Sequence, residues 1–221
     1  MTFDKSGHVW VAEPGCLPQP VCNPVVSGSI GEFNTLDDSK IQEYSSAPST
    51  YMPVFLAVDG SGNVWFTDPT NNAIGELVPG GTGSWHEWNT GLTPGVDPID
   101  LTFDGAGNIW FSEHVVNRIG FFNPNSHIFQ ETTVGSSNTR PYGIVYDSVN
   151  NVIWFADEGT PNIGSFTPTA NGVLGTVAMH PVVSRTSSFP YLITLDQHQN
   201  VWYSEGFAGY WRTTSWIYHS Y

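Results

Sequence analysis

The chain has 221 residues and a formal net charge of −14, from 20 acidic and six basic side chains. So few Lys and Arg residues argue against nucleic acid as a partner, because phosphate binding needs clustered positive charge. No run reaches the roughly 20 apolar residues that a membrane span needs, and the length fits a single domain.

A tryptophan-bearing segment recurs five times along the chain. It reads VWVAEP from Val9, VWFTDP from Val64, IWFSEH from Ile109, IWFADE from Ile153 and VWYSEG from Val201. An Asp-bearing turn precedes each copy, and a proline with a short apolar run precedes each of the last four turns. An Ile-Gly pair follows the first four copies. This order predicts strand a, a hairpin turn, strand b with the Trp, strand c with the Ile-Gly pair, and strand d.

The repeat predicts an all-β fold, a β-propeller of four-stranded antiparallel blades with about five blades encoded. We expect one domain over residues 1–221. The blades are predicted at residues 1–48, 49–93, 94–139, 140–187 and 188–221, the last of them incomplete. Two arrangements stay open, a closed five-bladed ring and a truncated or partial seven-bladed propeller. In the second arrangement the incomplete end blades are expected to self-associate.

The two cysteines, Cys16 and Cys22, lie in one Pro-rich loop. Their spacing allows a small disulfide, and two free thiols are the alternative. A disulfide predicts a secreted or cell-surface protein whose leader is not present in this sequence. A cytoplasmic location is the alternative.

Acidic residues end all five copies of strand b. Because strands a and b form a hairpin, these acids lie beside the start of strand a, and together they would ring one mouth of the propeller channel. Such carboxylates favour Mg²⁺ or Ca²⁺. We predict metal ligation by Glu113, Asp157 and Glu158, and ligand binding by Glu13, Asp68 and Glu205. The alternative is that each acid accepts hydrogen bonds from the backbone of its own loop.

Four further residues near this face complete the predicted site. His114 is the one feature of its segment that the repeat does not explain, and histidine can act as a general base near neutral pH. Asp100 places a carboxylate where other blades carry Phe55, Gly143 and Leu192. Two tyrosines follow the strand-a prolines, and we add them as ligand-binding residues with Asp100: Tyr142 and Tyr191.

The segments PYGIVYD from Pro141 and GNIWFSEHVVNRIG from Gly107 resemble the blade of the streptogramin B lyase (virginiamycin B lyase) family. The resemblance spans almost the whole chain. It implies a seven-bladed propeller and a Mg²⁺-dependent lyase that opens a cyclic depsipeptide at its ester by elimination. A histidine would abstract the proton alpha to a carbonyl while the metal polarises that carbonyl. Carried over to this chain, Glu113 is a metal-site candidate and His114 is the base candidate.

The resemblance implies a metal-assisted carbon–oxygen lyase that acts on a cyclic depsipeptide or a related ester. Its ligand would be a small or peptide-like molecule at the channel mouth. Two alternatives stay open. One is a non-catalytic binding or scaffold propeller for a carbohydrate, peptide or protein, and the other is an inactive propeller fragment.

Overall fold

The computed structural model describes residues 1–16, 26–36, 40–47, 51–182, 188–207 and 216–219. Within these ranges every regular element is a β-strand, and no helix is long and apolar enough to cross a membrane. The strands form five antiparallel sheets, in which strands adjacent in the chain are also adjacent in space. Four sheets have four strands, and the described part of the fifth has three. The chain is therefore an all-β protein built from propeller blades, as its repeats predict.

The chain divides into two compact units, Met1–Ile99 and Asp100–Tyr221. The first unit contains two complete sheets. The strands of blade 1 are β1 (Thr2–Phe3), β2 (His8–Glu13), β3 (Ser29–Asn34) and β4 (Lys40–Ser45). The strands of blade 2 are β5 (Leu56–Val58), β6 (Val64–Asp68), β7 (Ala73–Val78) and β8 (Ser84–Trp88).

The second unit contains blades 3, 4 and 5, apart from the first two residues of β9. Blade 3 consists of β9 (Pro98–Phe103), β10 (Ile109–Glu113), β11 (Arg118–Asn123) and β12 (Ile128–Thr133). Blade 4 consists of β13 (Pro141–Asp147), β14 (Val152–Asp157), β15 (Asn162–Phe166) and β16 (Ala178–Pro181). Blade 5 consists of β17 (Ser188–Leu195), β18 (Val201–Phe207) and β19 (Trp216–His219). Each sheet lies inside one predicted repeat, while the prediction of a single domain stays a prediction.

Each unit has its own hydrophobic core between stacked sheets. Strand b alternates its side chains, so the Trp points to one face and the aromatic residue after it points to the other. In the second unit, Trp110 of blade 3 packs against Phe166 of blade 4, with ring centroids 5.3 Å apart. Ile144 and Phe155 of blade 4 belong to the same cluster. In the first unit, the buried side chains around Trp10 meet those around Phe66 in the same way. The Trp face of one blade therefore covers the Phe face of the next within each unit.

The glycine of the Ile-Gly pair leaves room for an aromatic ring of the neighbouring strand. Gly120 lies directly opposite Phe111 in the register of β10 and β11. A Cβ atom built on Gly120 would lie 2.1 Å from the Phe111 ring. The same close approach joins Gly75 to Phe66, at 2.1 Å. Only glycine allows the ring to lie flat over the strand here, which explains why the pair repeats with strand b.

The Asp-bearing turn holds the tryptophan of its own blade. Asp104 accepts hydrogen bonds through Oδ1 from the backbone N–H groups of Ala106 and Asn108, both at 2.9 Å. Its Oδ2 accepts the indole N–H of Trp110 at 2.9 Å. Backbone capping by these turns follows from the sequence, whereas the bond to the indole does not. The same indole bond is present in blades 1, 2 and 5.

Blade 4 departs from this arrangement because its turn is one residue longer. Asp147 caps Val149 and Asn150 through its Oδ1, both at 3.0 Å. Its Oδ2 accepts the side-chain amide of Asn150 at 2.7 Å. The Trp154 ring lies against the ring of His180, with centroids 5.2 Å apart. In blade 4 the tryptophan of strand b therefore packs on a histidine of strand d.

Candidate active site

The hairpin of strands a and b brings the predicted site residues to one end of each blade. In blade 4, Pro141 at the start of strand a is paired with Asp157 at the end of strand b. In blade 5, Pro190 is paired with Glu205 in the same way. The register of strand a then shifts directly after each proline, which produces a bulge in both blades. Such a bulge re-aims the side chains that follow the proline.

Two of the strand-b acids accept hydrogen bonds from the loops around them. Asp157 accepts backbone N–H bonds through Oδ1 from Arg140 at 2.8 Å, Gly159 at 3.0 Å and Thr160 at 3.2 Å. The Thr160 hydroxyl donates to its Oδ2. Asp68 accepts the backbone N–H groups of Met52 and Asn71. These carboxylates already accept several hydrogen bonds, so the geometry favours loop support for both of them over cation or ligand contact.

The acids at the same place in blades 1 and 5 have different surroundings. Glu13 is exposed, and its Oε2 accepts the Ser29 hydroxyl at 3.0 Å. Glu205 is half-buried opposite Pro190. Glu13 lies in the first unit and Glu205 lies in the second. A ligand role for each of them stays a prediction.

Glu113 is fully buried and faces the outer strands of its own blade. No donor among the described residues hydrogen-bonds either of its carboxylate oxygens. Burial raises the pKa of Glu113 to about 8, and the adjoining carboxyl group of Glu131 adds to that rise. Arg118, which lies 3.7 Å from Glu131, acts in the opposite direction. Glu113 therefore adjoins Glu131 and does not belong to the group of side chains around His114.

His114 lies with side chains of blade 4. Its Nε2 is 2.5 Å from Oε2 of Glu158, and about a third of each side chain is exposed. The His114 ring packs edge-to-face against Tyr142, with centroids 5.2 Å apart and planes at 89°. Tyr142 in turn lies over Tyr191 of blade 5 with centroids 4.0 Å apart. The structure thus brings four of the predicted residues together at the ends of three successive blades.

The two tyrosines form a protonated pair beside the histidine. Burial raises the pKa of Tyr142 well above its usual value, and the hydrogen bond with Tyr191 raises it further. Burial also raises the pKa of Tyr191. Both hydroxyls therefore stay neutral at physiological pH. The pair offers a ligand one hydroxyl donor and aromatic surface but no negative charge.

Asp100 completes this group from strand a of blade 3. Its Oδ1 accepts the N–H of Leu101 at 2.9 Å, and its Oδ2 accepts the N–H of Ile144 in blade 4 at 3.0 Å. Burial raises the pKa of Asp100 to about 7, although these two backbone bonds oppose the rise. Its carboxylate thus points at the bulge that carries Tyr142.

The arrangement of His114 and Glu158 suits general base chemistry. A carboxylate that accepts the Nε2 proton fixes the tautomer in which Nδ1 carries the lone pair. Among the described residues, none hydrogen-bonds Nδ1 of His114. The histidine is partly exposed, so its free nitrogen can receive a proton from a bound molecule.

The predicted metal ligands do not fit a single cation. Asp157 is engaged with its own loop, Glu113 adjoins Glu131, and Glu158 bonds His114. Where the structure describes the chain, one group of three ligating side chains lies close enough to hold an ion, and it consists of Asp4, His8 and Glu32 in blade 1. Hydrogen bonds and ion pairs already connect these three, so we assign no site there.

The sequence model of the virginiamycin B lyase family matches residues 23–209. The chain belongs to this family. No curated protein matches the sequence significantly.

Solved structures of the virginiamycin B lyase family share its fold with this chain. An inactive variant of the Staphylococcus aureus virginiamycin B lyase, solved with quinupristin, is 20% identical with a TM-score of 0.71. That match covers 97% of this chain and 67% of the other. A streptogramin B lyase is 26% identical with a TM-score of 0.64, over 79% of this chain and 54% of the other. The chain thus spans about two thirds of the first relative and about half of the second.

A fold likeness also extends beyond the virginiamycin B lyase family. The periplasmic gluconolactonase of Pseudomonas aeruginosa is 9% identical with a TM-score of 0.71. The match covers 93% of this chain and 64% of that one. At this identity the likeness shows the fold alone.

Sequence reasoning missed one feature of the site, the acid on strand d. Glu131 lies opposite Gly120 in the register and adjoins Glu113. In blade 2, Glu87 lies opposite Gly75, and burial together with Asp68 raises the pKa of Glu87 to about 9. The signal was available, because a Glu occurs at the same place in the strand-d segments SWHEW and IFQET.

The predicted disulfide falls partly outside the described residues. Cys16 forms an isolated β-bridge with Val26 and is not a free thiol. Cys22 lies in the range 17–25, which the structure does not describe. The pairing of these two cysteines stays a prediction.

Proposed function

We propose that this member of the virginiamycin B lyase family is a carbon–oxygen lyase that opens a cyclic depsipeptide or a related ester. The observation that supports the proposal best is the contact of His114 with Glu158, 2.5 Å apart and partly exposed beside two protonated tyrosines. Glu158 orients the imidazole and stabilises its positive charge once a proton has been taken up.

The proposed reaction is an elimination. His114 removes a proton from the carbon alpha to a carbonyl of the ligand, and the electron pair of that C–H bond forms a C=C bond to the neighbouring carbon. The C–O bond of the ester at that carbon breaks, and the ester oxygen leaves as part of a carboxylate. No water enters, so the opened product has the mass of its cyclic precursor.

The tyrosine pair supplies binding surface and a donor in this scheme. The rings of Tyr142 and Tyr191 give a flat aromatic wall next to His114. Such a wall suits the apolar ring of a cyclic peptide. Because Tyr142 and Tyr191 share a hydrogen bond, the protonated pair has one hydroxyl proton left to donate to a carbonyl or carboxylate oxygen on which charge develops.

Incubation with quinupristin, followed by mass spectrometry and chromatography, tests the proposal. We expect a ring-opened product of unchanged mass from the wild type, and at least about a hundredfold lower rate from His114→Gln and Glu158→Gln. His198→Ala, which changes an exposed histidine of a turn in blade 5, is the matched control and should retain the rate. Unchanged turnover in His114→Gln would refute the assignment of the base.

Ester or lactone hydrolysis is the second candidate. The fold likeness to a gluconolactonase favours it, and the same histidine–carboxylate pair can activate a water molecule. The experiment above separates the two reactions, because hydrolysis adds the mass of one water to the product. The same variants would then report on His114 as the base for water.

A divalent cation, Mg²⁺ or Ca²⁺, stays a proposal for this site. His114 and Glu158 offer two ligating groups, and a bound cation would supply an electrophile for the ligand's carbonyl oxygen. Turnover measured after EDTA treatment and after added Mg²⁺ or Ca²⁺ tests it. A rate that does not change under either treatment would contradict a metal requirement.

Location and partners are proposed on similar grounds. A periplasmic relative in the fold comparison supports an exported protein, and the relative solved with quinupristin supports a small peptide-like ligand. Self-association through the end blades also stays a proposal. A ligand that binds to the tyrosine wall without turnover would instead support the non-catalytic alternative.

A further inference from the structure

Two side chains of blade 3 break the repeat, and both reach the same segment of blade 4. His114 is the only histidine at its place, and Asp100 is a carboxylate where blades 2, 4 and 5 carry Phe, Gly and Leu. His114 packs on the Tyr142 ring, while Asp100 accepts the backbone N–H of Ile144 two residues further on. The two side chains that differ from the repeat therefore both contact one bulge, between Pro141 and Ile144.

The bulge is held from both sides of Tyr142. On one side the buried hydroxyl of Ser112 donates to the Tyr142 carbonyl at 2.5 Å and accepts the Asp100 N–H at 3.1 Å. On the other side the Asp100 carboxylate holds the Ile144 N–H at 3.0 Å. Between these two bonds lies Gly143, whose backbone closely approaches strand a of blade 5. The backbone that carries Tyr142 is thus fixed at two points.

Of the two anchoring interactions, only the one made by the strand-b hydroxyl also occurs in another blade. In blade 2 the Thr67 hydroxyl accepts the N–H of Phe55 and donates to the carbonyl of Ile99, as Ser112 does in blade 3. Blades 2, 4 and 5 have no carboxylate at the position of Asp100. The bond to Ile144 is therefore an addition to the repeat, found in the blade that also carries His114.

We infer that Asp100 is a positioning residue: by holding the Ile144 N–H it fixes the bulge in place, and with it the Tyr142 ring that packs against His114. The inference rests on the proposed function only in naming His114 as the base. The placement of the ring is a matter of geometry and can be measured without any turnover. A shift of about 1 Å in a group that supports a base is enough to lower a rate up to about a hundredfold.

Nuclear magnetic resonance of histidine-labelled protein tests the inference. The ring resonances of His114 are those that disappear in His114→Gln. We expect Asp100→Leu, which introduces the residue of blade 5, to move them as Tyr142→Leu does, because the ring current of Tyr142 changes. Asp100→Asn keeps an oxygen acceptor for the Ile144 N–H and should keep the wild-type resonances.

Asp147→Ala is the matched control, since it removes an aspartate at the other end of the same strand of blade 4. It should lower stability without moving the His114 resonances. If Asp100→Leu does not fold, Asp100→Ala provides the same test without added volume. Unmoved His114 resonances in a folded Asp100→Leu or Asp100→Ala protein would overturn the inference.

Turnover of quinupristin gives a second, separable readout. If the proposed function holds, Asp100→Leu should lower kcat about tenfold or more while Asp100→Asn restores most of it. Moved resonances in a wild-type protein that shows no turnover would leave the positioning role intact and contradict the proposed function instead. Reduced turnover with unmoved resonances would contradict the positioning role.

Discussion

Two acids at the same place in the repeat have opposite surroundings. Asp157 accepts three backbone N–H bonds and one hydroxyl bond. Glu113 has no donor on either oxygen among the described residues and adjoins another carboxyl group. The same position can therefore cap a loop in one blade and hold a buried proton in another, depending on the N–H groups around it.

The proton on Glu113 makes stability depend on pH. Its pKa is raised from 4.5 to about 8, so the folded state keeps the proton that the unfolded chain releases. The contribution is complete below about pH 4.5, and the free energy of unfolding falls as the pH rises towards 8. Glu113→Gln should reduce that fall by about 3 kcal/mol between about pH 5 and 8.

Urea unfolding at several pH values between about 5 and 8 measures this slope. Glu13→Gln, which changes the exposed acid at the same place in blade 1, is the control and should leave the slope unchanged. A slope in Glu113→Gln equal to that of the wild type would show that Glu113 is ionised in the folded protein throughout this range.

The positions of the candidate residues on their blades were predictable one by one, but their grouping was not. Departures from the repeat pointed to His114 and Asp100, and hairpin geometry placed both at the correct end of the blade. Which residues meet depends on contacts between neighbouring blades, such as His114 with Glu158. Those contacts follow from side-chain packing, which a repeat pattern does not encode. For the same reason Glu113 was grouped with His114, whereas it packs with Glu131.

At the level of the element, blades 2 and 3 each combine two contacts that link adjacent strands. The Asp turn holds the strand-b Trp, and the strand-c Gly accepts the ring of the strand-b Phe. Strand order and the hairpin turns were predictable because short-range patterns decide them. The indole bond was not, since it depends on how the Trp side chain turns back over its own hairpin.

The fit of Phe111 over Gly120 predicts a large effect from a single methyl group. In Gly120→Ala the new Cβ would lie 2.1 Å from the Phe111 ring, so the ring or the strand must move. We expect the free energy of unfolding to fall by about 2 kcal/mol or more. Gly60→Ala, where a Cβ meets nothing within 4 Å, is the control and should be nearly neutral.

Chemical denaturation of both glycine variants, and of Gly120→Ala combined with Phe111→Leu, measures the effect. The smaller side chain should recover part of the loss, because the two positions are coupled. Additive losses in the double variant would contradict a direct clash between the methyl group and the ring.

At the level of the whole molecule, the dominant feature is the excess of acidic side chains. A formal net charge of −14 on 221 residues produces mutual repulsion that favours expanded states. Salt screens that repulsion over distances of about 10 Å. The excess of acidic side chains is evident from the sequence alone. It affects the stability of the protein and not its fold.

Added salt should therefore stabilise the protein more at neutral pH than near its isoelectric point. Between about 0.02 and 0.5 M NaCl, we expect the free energy of unfolding to rise on the order of 1 kcal/mol at about pH 8. The rise should be much smaller near pH 4.5, the isoelectric point of the sequence. If salt stabilises the protein equally at both pH values, the cause is general salting-out and not the screening of charge repulsion.

The ring-over-glycine contact also bears on how far repeated blades can diverge. In blade 1, Val11 lies opposite Gly31, and the space above that glycine contains the ring of Phe33 from the glycine's own strand. An aromatic group can therefore be supplied from either strand. A lineage of duplicated blades could exchange one source for the other, provided that the replacement aromatic residue arises before the original is lost. The strand-b and strand-c aromatic residues are therefore equivalent partners of the glycine, although they occupy different positions in the repeat.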